Sequence, residues 1–415
     1  MKPIKITLLL SIGTALEYYD LVIYSLLANF ISQQFFPATS RTAAIFATFG
    51  LLASGNLIRP LGGVIIGFYG DRLGRKKVFS NTLNWMALAT LVMGLVPTFS
   101  SWGIWSTIVF CLCRLIQNIS FGAESPGALT ILSEYINKKH QGLYFGILAS
   151  SMGIGVSLGS LIIWLLTKFL SPETMLAWGF RIPFLFGGTL SLMGFYIRKH
   201  LPETPKFIDS QKIEPKITPL LAKKYLKPAI VATGILILSA SFSSFKLVLP
   251  LFLREFYHYE LTDIYKTMTL GYAVATIILK PIFGFLADYV GKKRLILISS
   301  FTMFMGSHPI FSLLATGKII ALYLFTLFSQ LITSCIAASC FALLPKTFPT
   351  NVRYTGTSLS YNLAHIVASL IPIVATYVYN VLKNPNYLIL VFMGLAMISA
   401  YSTLVFNSVM NNIKQ

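Results

Sequence analysis

The decapeptide Gly67-Phe68-Tyr69-Gly70-Asp71-Arg72-Leu73-Gly74-Arg75-Lys76 lies between two long apolar stretches of the chain. A related decapeptide in the second half, Gly284-Phe285-Leu286-Ala287-Asp288-Tyr289-Val290-Gly291-Lys292-Lys293, lies in the same setting. Both follow the frame G-F-x-x-D-x-x-G-[RK]-K. The recurrence predicts that the two halves of the chain have similar structures.

The composition around these decapeptides excludes a soluble domain. Of the 415 residues, 55% are hydrophobic and only 11% are charged, whereas about a quarter of the residues of a soluble domain are charged. About 20 apolar residues cross a bilayer as a helix, so each apolar run of this chain is long enough to span. The runs, in chain order, are 6–30, 43–69, 78–98, 104–133, 141–168, 179–197, 228–256, 264–289, 294–316, 318–344, 354–382 and 385–408. We therefore expect an all-α membrane protein with twelve transmembrane helices in two pseudo-symmetric bundles of six.

The domain organisation follows from the polar segment in the middle of the chain. Residues 198–227 are rich in proline and in basic residues, and they separate an N-terminal bundle, 1–197, from a C-terminal bundle, 228–415. Most of the 33 lysines and arginines lie on the side of the membrane that holds the N-terminus, this segment and the C-terminus. Because cytoplasmic loops carry an excess of basic residues, both termini are predicted to lie in the cytoplasm and the protein in the cytoplasmic, or inner, membrane.

Several functional classes are excluded or disfavoured. The net charge of +20 is explained by topology and by attraction to anionic headgroups, so no nucleic-acid partner is expected. The four cysteines lie in apolar stretches, and no histidine or cysteine group has the spacing of a metal site. We expect no metal, no cofactor and no enzymatic activity, and a monomer whose partners are the lipid bilayer, protons and a small organic solute. A sensor without transport is less favoured, because the length leaves no room for a soluble output domain.

Charged residues inside the apolar runs are functional candidates, because a charge in hydrocarbon costs several kcal/mol. Asp20 and Arg114 each lie ten residues from the outer end of their runs, so both are about 15 Å deep. Such a pair can couple a proton to a solute that draws the arginine away. Glu17 lies on the same helical face as Asp20, and either acid can be the proton carrier.

Further residues are candidates for the solute site or for a second relay. Arg59 and Glu124 are expected to meet below the first pair, as a relay, a gate or a structural latch. Lys246 occupies the position of Asp20 in the repeat, where it either binds an anionic solute or neutralises Asp20 or Glu17. The polar and aromatic side chains expected to line the cavity are Tyr18, Tyr24, Gln117, Asn118, Tyr361, Asn362 and His365.

The loop that holds Asp71, Arg72 and Arg75 is predicted to be a gate and not a solute site. It combines a tight glycine turn with a charge cluster, which we expect to dock onto adjacent helix ends such as the one that carries Glu134. Asp288 is the corresponding gating residue of the second half.

The sequence also resembles a known family. The motif G-x-x-x-D-R-x-G-R-[RK] at residues 67–76 is that of the major facilitator superfamily. A closer likeness is to its metabolite:proton symporters, which include transporters of proline and betaine, alpha-ketoglutarate, citrate and shikimate. The stretches that carry this likeness are Leu16-Glu17-Tyr18-Tyr19-Asp20, Arg59-Pro60-Leu61-Gly62-Gly63, Arg114-Leu115-Ile116-Gln117, Trp178-Gly179-Phe180-Arg181 and Leu201-Pro202-Glu203-Thr204-Pro205. The resemblance implies solute uptake by proton symport.

The sequence therefore predicts a proton-coupled symporter that imports a small organic metabolite bearing a carboxylate. Lys246 favours an anionic solute, because the three bases Arg59, Arg114 and Lys246 would otherwise leave the site with a net positive charge. The alternative is uptake of a zwitterionic amino acid or betaine, whose quaternary ammonium group the aromatic residues would surround.

Overall fold

A computed structural model describes residues 2–36, 41–211, 223–246 and 248–414. Every regular element in these ranges is a helix. The helices of the first half are α1 (Pro3–Leu26), α2 (Ala28–Phe35), α3 (Arg41–Leu73), α4 (Arg75–Leu95), α5 (Phe99–Trp102), α6 (Ile104–Tyr135), α7 (Gln141–Phe169), α8 (Pro172–Thr174), α9 (Arg181–Lys199) and α10 (Pro205–Gln211). A π-helical turn, Met175–Gly179, joins α8 to α9.

The second half repeats this series of long helices. Its helices are α11 (Lys223–Phe245), α12 (Leu249–Tyr257), α13 (Leu261–Val274), α14 (Lys280–Val290), α15 (Lys292–Leu314), α16 (Ile319–Leu343), α17 (Arg353–Ser369), α18 (Ile371–Tyr377) and α19 (Asn386–Lys414). The π-helical turns Ala275–Leu279 and Val378–Leu382 follow α13 and α18.

The predicted fold class is confirmed. Within the described ranges, nine helices are long and apolar enough to cross a membrane, and the pair Pro172–Gly179 and Arg181–Lys199, bent by 44°, makes a tenth span. The two remaining predicted runs are helical as well, since 43–69 lies within α3 and 264–289 extends from α13 through a π turn into α14. Every one of the twelve predicted runs is thus helical in the structure.

Three runs that we expected to be single helices are interrupted. In the first run, α1 ends before Leu27, which has φ −88° and ψ 2°, and α2 follows it. The seventh run is interrupted between Phe245 and Leu249, and the eleventh at Leu370, between α17 and α18. In the seventh run Pro250 lies in the first turn of α12. Proline cannot donate the hydrogen bond that a continuous helix needs, but it is well tolerated at a helix start, so the helix begins anew there.

The chain forms two compact units. Unit 1 consists of Met1–Tyr135, Ser151–Pro215 and Thr350–Ser358, and unit 2 of Ile136–Ser150, Lys216–Pro349 and Leu359–Gln415. Helices α7 and α17 therefore contribute to both units. The division into 1–197, 198–227 and 228–415 stays a prediction, and residues 212–222 of the predicted linker lie outside the described ranges.

Close helix packing inside unit 1 depends on glycine. A side chain at Gly62 of α3 would collide with the backbone of Ile119, and one at Gly122 of α6 would collide with the backbone of Arg59. These two positions therefore bring the backbones of α3 and α6 into direct contact. This contact places Arg59 beside the part of α6 that carries the other candidate site residues.

Candidate functional site

The interior of unit 1 contains a chain of hydrogen bonds that begins at Asp20. Thr90 of α4 donates its hydroxyl proton to Asp20 Oδ2 over 2.8 Å. Gln117 of α6 donates from Nε2 to the same hydroxyl over 2.7 Å, and Arg114 Nη1 donates to Gln117 Oε1 over 2.9 Å. All four side chains are at most 1% exposed. The predicted pair of Asp20 and Arg114 is thus connected through two neutral residues and is not a direct ion pair between these described side chains.

One edge of the Arg114 guanidinium makes no hydrogen bond to the described residues. Nη1 is held by Gln117, whereas Nε and Nη2 are buried and make no hydrogen bond within the described part of the chain. The guanidinium carbon lies 4.1 Å from the centre of the Tyr24 ring, which supports the flat face of the group. Asp20 Oδ1 is likewise buried without a hydrogen-bond partner among the described residues. The site therefore presents both an open donor edge and an open acceptor.

Glu17, one helical turn before Asp20, has a different environment. Ser125 of α6 donates its hydroxyl proton to Glu17 Oε2 over 2.6 Å. Glu17 also interacts electrostatically with Glu124, Arg59 and Arg198. The two acids on one face of α1 thus face two different groups of residues, one around Thr90 and one around Ser125.

The prediction that Glu124 pairs with Arg59 is wrong. The ion-pair partner of Glu124 in the structure is Arg198, whose Nη1 lies 2.6 Å from Glu124 Oε1. Thr82 donates to the other carboxylate oxygen over 3.0 Å. Arg198 was assigned to the polar linker 198–227, yet it belongs to α9 and is only 1% exposed.

The buried position of Arg198 depends on a glycine, Gly13, whose role can be recognised only in the folded structure. The guanidinium of Arg198 lies where a side chain at Gly13 of α1 would be, and it also stacks 4.1 Å from the centre of the Phe79 ring. Gly13 marks the space that the arginine enters. Nothing in a single sequence tells which of the 29 glycines has this role.

The remaining candidates of unit 1 lie on α1, α3 and α6. Arg59 lies over the ring of Phe121, at 5.1 Å from its centre. Asn118 is fully buried against Gly55, and neither end of its amide has a hydrogen-bond partner in the described ranges. Tyr18 is partly buried on α1. Asn118 thus adds a further polar group without a hydrogen bond to the described residues, one helical turn from Arg114.

The predicted site residues of unit 2 form their own contacts. Lys246 lies just after the end of α11, and its Nζ donates to Gln330 Oε1 over 3.3 Å. Tyr361 and His365 stack with ring centres 4.3 Å apart, and His365 Nδ1 lies 2.9 Å from the carbonyl of Tyr361. Asn362, beside Tyr361 on α17, is buried. The Gln330 side chain therefore provides a hydrogen-bond acceptor for Lys246 inside unit 2, in the absence of a solute.

The first charged loop, residues 67–76, consists in the structure of the end of α3, Gly74 and the start of α4, and it caps the beginning of α17. Asp71 accepts hydrogen bonds from the backbone N–H groups of Tyr354 and Thr355, over 3.0 and 2.9 Å, and also from the Thr355 hydroxyl. A carboxylate is favourable at a helix N-terminus, because it satisfies unpaired N–H groups and faces the positive end of the helix dipole. Arg72 is not part of this cluster, since its side chain lies over the Phe68 ring at 3.9 Å.

Arg75 connects this loop to Glu134. It is fully buried, lies 2.9 Å from Asp71 and 3.4 Å from Glu134, and also donates to the carbonyl of Thr350. Arg353 pairs with the second oxygen of Glu134 over 3.0 Å. The loop thus lies against the helix end that carries Glu134, and the end of α6 and the start of α17 share one buried ion-pair network.

The start of the predicted linker packs onto the same loop. Glu203 accepts hydrogen bonds from the backbone N–H of Lys76 at the start of α4, and Thr204 donates to Glu134. The ring of Phe207 lies 4.7 Å from the Arg75 guanidinium carbon. Residues 203–207 are therefore part of the cluster around Arg75, a contact that the composition of the linker did not indicate.

The second charged loop, residues 284–293, likewise consists of the end of α14, Gly291 and the start of α15, and it caps a different helix. Asp288 accepts hydrogen bonds from the backbone N–H groups of Gly142 and Leu143 at the start of α7, over 2.8 and 3.1 Å. Its ion-pair partner is Lys292, one turn along the chain at 2.9 Å. The two loops therefore make the same helix-capping contact in the two units.

An all-helical membrane bundle whose interior holds acidic, amide and guanidinium groups is the architecture expected of a secondary transporter. The chain matches the model of the Major Facilitator Superfamily over residues 10–372 and again over 263–411. It belongs to this superfamily, whose members are transporters and not enzymes.

Curated relatives lie within the predicted branch of the superfamily. The chain is 28% identical over 398 residues to the proline/betaine transporter of Escherichia coli K12, covering 92% of this chain and 79% of the relative. It is 29% identical over 398 residues to the glycine betaine/proline/ectoine/pipecolic acid transporter OusA of Dickeya dadantii, with the same coverage. It is 30% identical over 399 residues to a putative proline/betaine transporter of Staphylococcus aureus, covering 92% and 84%. The chain is therefore homologous to proline/betaine transporters of the metabolite:proton symporter family.

Solved structures share the fold. The proton:xylose symporter XylE, bound to 6-bromo-6-deoxy-D-glucose, superimposes with a TM-score of 0.72 at 17% identity, covering 98% of this chain and 95% of that chain. The human organic anion transporter MFSD10 gives a TM-score of 0.63 at 13% identity, with 99% of both chains covered. At these identities the likeness concerns the fold alone.

Proposed function

We propose that this protein is a proton-coupled symporter that imports a zwitterion of the proline and betaine class across the cytoplasmic membrane, with both termini in the cytoplasm. The names of the relatives support this solute class. This places the zwitterion, which the sequence analysis held as the alternative, ahead of the organic acid. The proposal keeps the carboxylate, since proline and betaine each carry one.

The open edge of Arg114 is the observation that carries the proposal. Nε and Nη2 of a guanidinium point the same way and donate two parallel hydrogen bonds to one carboxylate. That edge is buried and makes no hydrogen bond within the part of the chain that the structure describes, and Gln117 and Tyr24 fix the plane of the group. A solute carboxylate supplies the partner that a buried charged group needs. Asn118, with its open amide, is the nearest further candidate for a solute contact.

The charges inside unit 1 support a solute without net charge. Six buried or partly buried ionisable side chains interact there, three acids and three arginines: Glu17, Asp20, Glu124, Arg59, Arg114 and Arg198. The sequence alone indicated Lys246 as an unpaired third base and gave no reason to include Arg198. With Arg198 included, the three acids and three arginines of this group balance one another, and Lys246 is hydrogen-bonded to Gln330 in unit 2.

Proton coupling is assigned to the acids of α1. Asp20 has an open carboxylate oxygen and interacts electrostatically with Arg114. A carboxylate bound to Arg114 weakens the attraction between Arg114 and Asp20, so the acid binds a proton more readily when solute is present. Glu17 and Glu124 form the second group of acids, and we assign them a relay role below Asp20. The two charged loops act as gates and do not contact the solute.

The test is transport into proteoliposomes under a pH gradient, with labelled glycine betaine and proline and with unlabelled dicarboxylates as competitors. We expect accumulation of a zwitterion, and we expect Arg114→Gln to weaken its apparent affinity by about thirtyfold or more, as for removing one member of a buried charge pair. Arg181→Lys is the matched control, because Arg181 donates to the carbonyls of Gly94 and Val96 and contacts no carboxylate in the described ranges. It should leave the affinity within about threefold of the parent value.

Two results would contradict the proposal. Accumulation of a dicarboxylate, with betaine and proline ineffective as competitors, would restore the organic-acid reading. Unchanged affinity in Arg114→Gln, with normal amounts of protein in the membrane, would remove Arg114 from the solute site.

A further inference from the structure

Thr90 holds a position that neither the sequence motifs nor the comparisons single out. It lies on α4, is fully buried, and its hydroxyl group has three polar neighbours: Asp20 Oδ2 and the carbonyl of Met86, each at 2.8 Å, and Gln117 Nε2 at 2.7 Å. A threonine hydroxyl donates one proton and accepts up to two. The roles of the three contacts are therefore constrained by counting protons.

The directions of the two hydrogen bonds made by Gln117 follow from Arg114. A guanidinium only donates, so Gln117 Oε1 must accept from Arg114 Nη1. The other end of that amide is then the NH₂ group, which can only donate, and it donates to Thr90 Oγ1. The hydroxyl proton of Thr90 is left with two acceptors, the Asp20 carboxylate and the Met86 carbonyl.

We propose that Thr90 is the positioning residue that adjusts to the charge of Asp20 while Gln117 keeps Arg114 in place. When Asp20 is ionised, Thr90 donates its proton to Oδ2. When Oδ2 carries a proton, it donates to Thr90 Oγ1, and Thr90 turns its own proton to the Met86 carbonyl. In both states Thr90 accepts from Gln117, so the open edge of Arg114 stays directed at the solute. The proposal rests on the proton coupling assigned above.

The geometry explains why Asp20 and Arg114 are connected through Thr90 and Gln117. A direct buried ion pair is strongly destabilised when one partner is neutralised, because the other charge is left uncompensated. The intervening hydroxyl and amide allow Asp20 to change charge without breaking a contact of Arg114. They also keep Nε and Nη2 of Arg114 available, which a direct bidentate pair with Asp20 would occupy.

Other groups also act on Asp20 and remain in place in the variants proposed below. Gly187 of α9 packs against Asp20 Oδ1 and has no titratable side chain. The titratable and charged side chains around Asp20 are Tyr19, Glu17 and Tyr24 on α1 and Arg114 on α6, with Arg59 of α3, Glu124 of α6 and Arg198 of α9 acting through Arg114 or Glu17. A substitution at Thr90 changes none of these charges.

The experiment is an infrared titration of the carboxyl bands of the purified protein in lipid, which needs no solute. The band of Asp20 is identified by its absence in Asp20→Asn. Thr90→Val and Thr90→Ala remove the hydrogen bond to the ionised carboxylate, so we expect the midpoint of this band to move to higher pH by about one unit or more, since a hydrogen bond to a charged group contributes about 1.5–3 kcal/mol. Thr90→Ser keeps the hydroxyl and should stay within about 0.3 unit of the parent.

Thr403→Val is the matched control. Thr403 is buried and donates to the carbonyl of Ser399, four residues earlier in α19, as Thr90 does to the carbonyl of Met86 in α4. Unlike Thr90, it does not contact a carboxylate of the described residues. It should not move the midpoint. The Thr90→Ala variant tests the same bond if valine does not fit.

Two outcomes would overturn the proposal. One is an unchanged midpoint in both Thr90→Val and Thr90→Ala while Thr90→Ser behaves like the parent, and the other is a carboxyl spectrum in which Asp20→Asn removes no titrating band. Because the titration uses no solute, it stands apart from the transport test. If the parent protein accumulates a dicarboxylate, the proposed solute class is wrong. The role of Thr90 is then still decided by the titration.

Discussion

The two charged loops share a sequence frame and a capping contact, yet they differ in what surrounds the aspartate. Asp71 and Asp288 each accept hydrogen bonds from two consecutive backbone N–H groups at the start of a helix. Around Asp71, the fully buried Arg75 connects to Glu134 and through it to Arg353. Around Asp288, the partly exposed Lys292 forms a single ion pair within one turn of helix.

Helix capping and the buried ion-pair network are thus two separate properties of the first charged loop. The aspartate and the glycine turn are part of the repeated frame, and they are sufficient for helix capping. The buried network depends on Glu134, Arg353 and Thr204, which lie outside the frame and have no counterpart that the repeat predicts. We therefore expect the first charged loop to tolerate substitution much less well than the second.

The largest difference is expected at the ion pairs around the two loops. Glu134→Gln leaves Arg75 and Arg353 without their shared carboxylate, and breaking a buried pair in this way costs about 3–5 kcal/mol. Lys292→Gln removes a partly exposed pair within one helix and should cost less than about 1 kcal/mol. Thermal unfolding of both variants in detergent measures the difference. Equal destabilisation would show that the network around Glu134 adds nothing to the capping contact.

A second difference is expected in transport. Asp71→Asn removes the charge that caps α17 and pairs with Arg75, and we expect it to lower the transport rate about tenfold and to shift cysteine accessibility toward the inward-open pattern. Asp288→Asn removes a similar cap without the network and should lower the rate about two- to threefold, because a single charge at a helix N-terminus contributes about 0.3–1 kcal/mol. Solute affinity should stay within a few-fold of the parent in both. A hundredfold loss of affinity in Asp71→Asn would place the first loop in the solute site.

The smallest effect is expected where the second loop departs most visibly from the family motif. Tyr289 stands in the position that Arg72 occupies in the first loop, but Arg72 is exposed and stacks on Phe68 of its own helix. Tyr289→Arg should therefore change the unfolding free energy by less than about 0.5 kcal/mol, as is usual for exposed positions. Stabilisation by 1 kcal/mol or more would mean that this arginine contributes to the cluster in a way that its stacking does not reveal.

Residue spacing along single helices was enough to predict much of the fold and some residues of the candidate site. Twelve apolar runs and one repeated frame predicted the helices and the membrane location, and the resemblance of residues 67–76 to a family motif predicted the superfamily. The charged residues Asp20, Glu17 and Arg114 were found because an ionisable group in an apolar run is rare and therefore conspicuous. The interruptions at Leu27, after Phe245 and at Leu370 were not predicted, because a break inside an apolar run changes neither its hydropathy nor its length.

The partners of those charges were decided by tertiary structure alone. Thr90, Ser125 and Thr82 are hydroxyl residues of a kind common in membrane helices, and only the rotation and tilt of neighbouring helices select which of them meet an acid. Arg198 shows the same limit for a charge, because a residue counted as linker by composition enters the interior through the space beside Gly13. Amino-acid sequence determined where the chain crosses the membrane, since hydropathy is a local property. Which charges are balanced, and hence which solute the site favours, depends on contacts between side chains that are distant in the chain, and these exist only once the helices have packed.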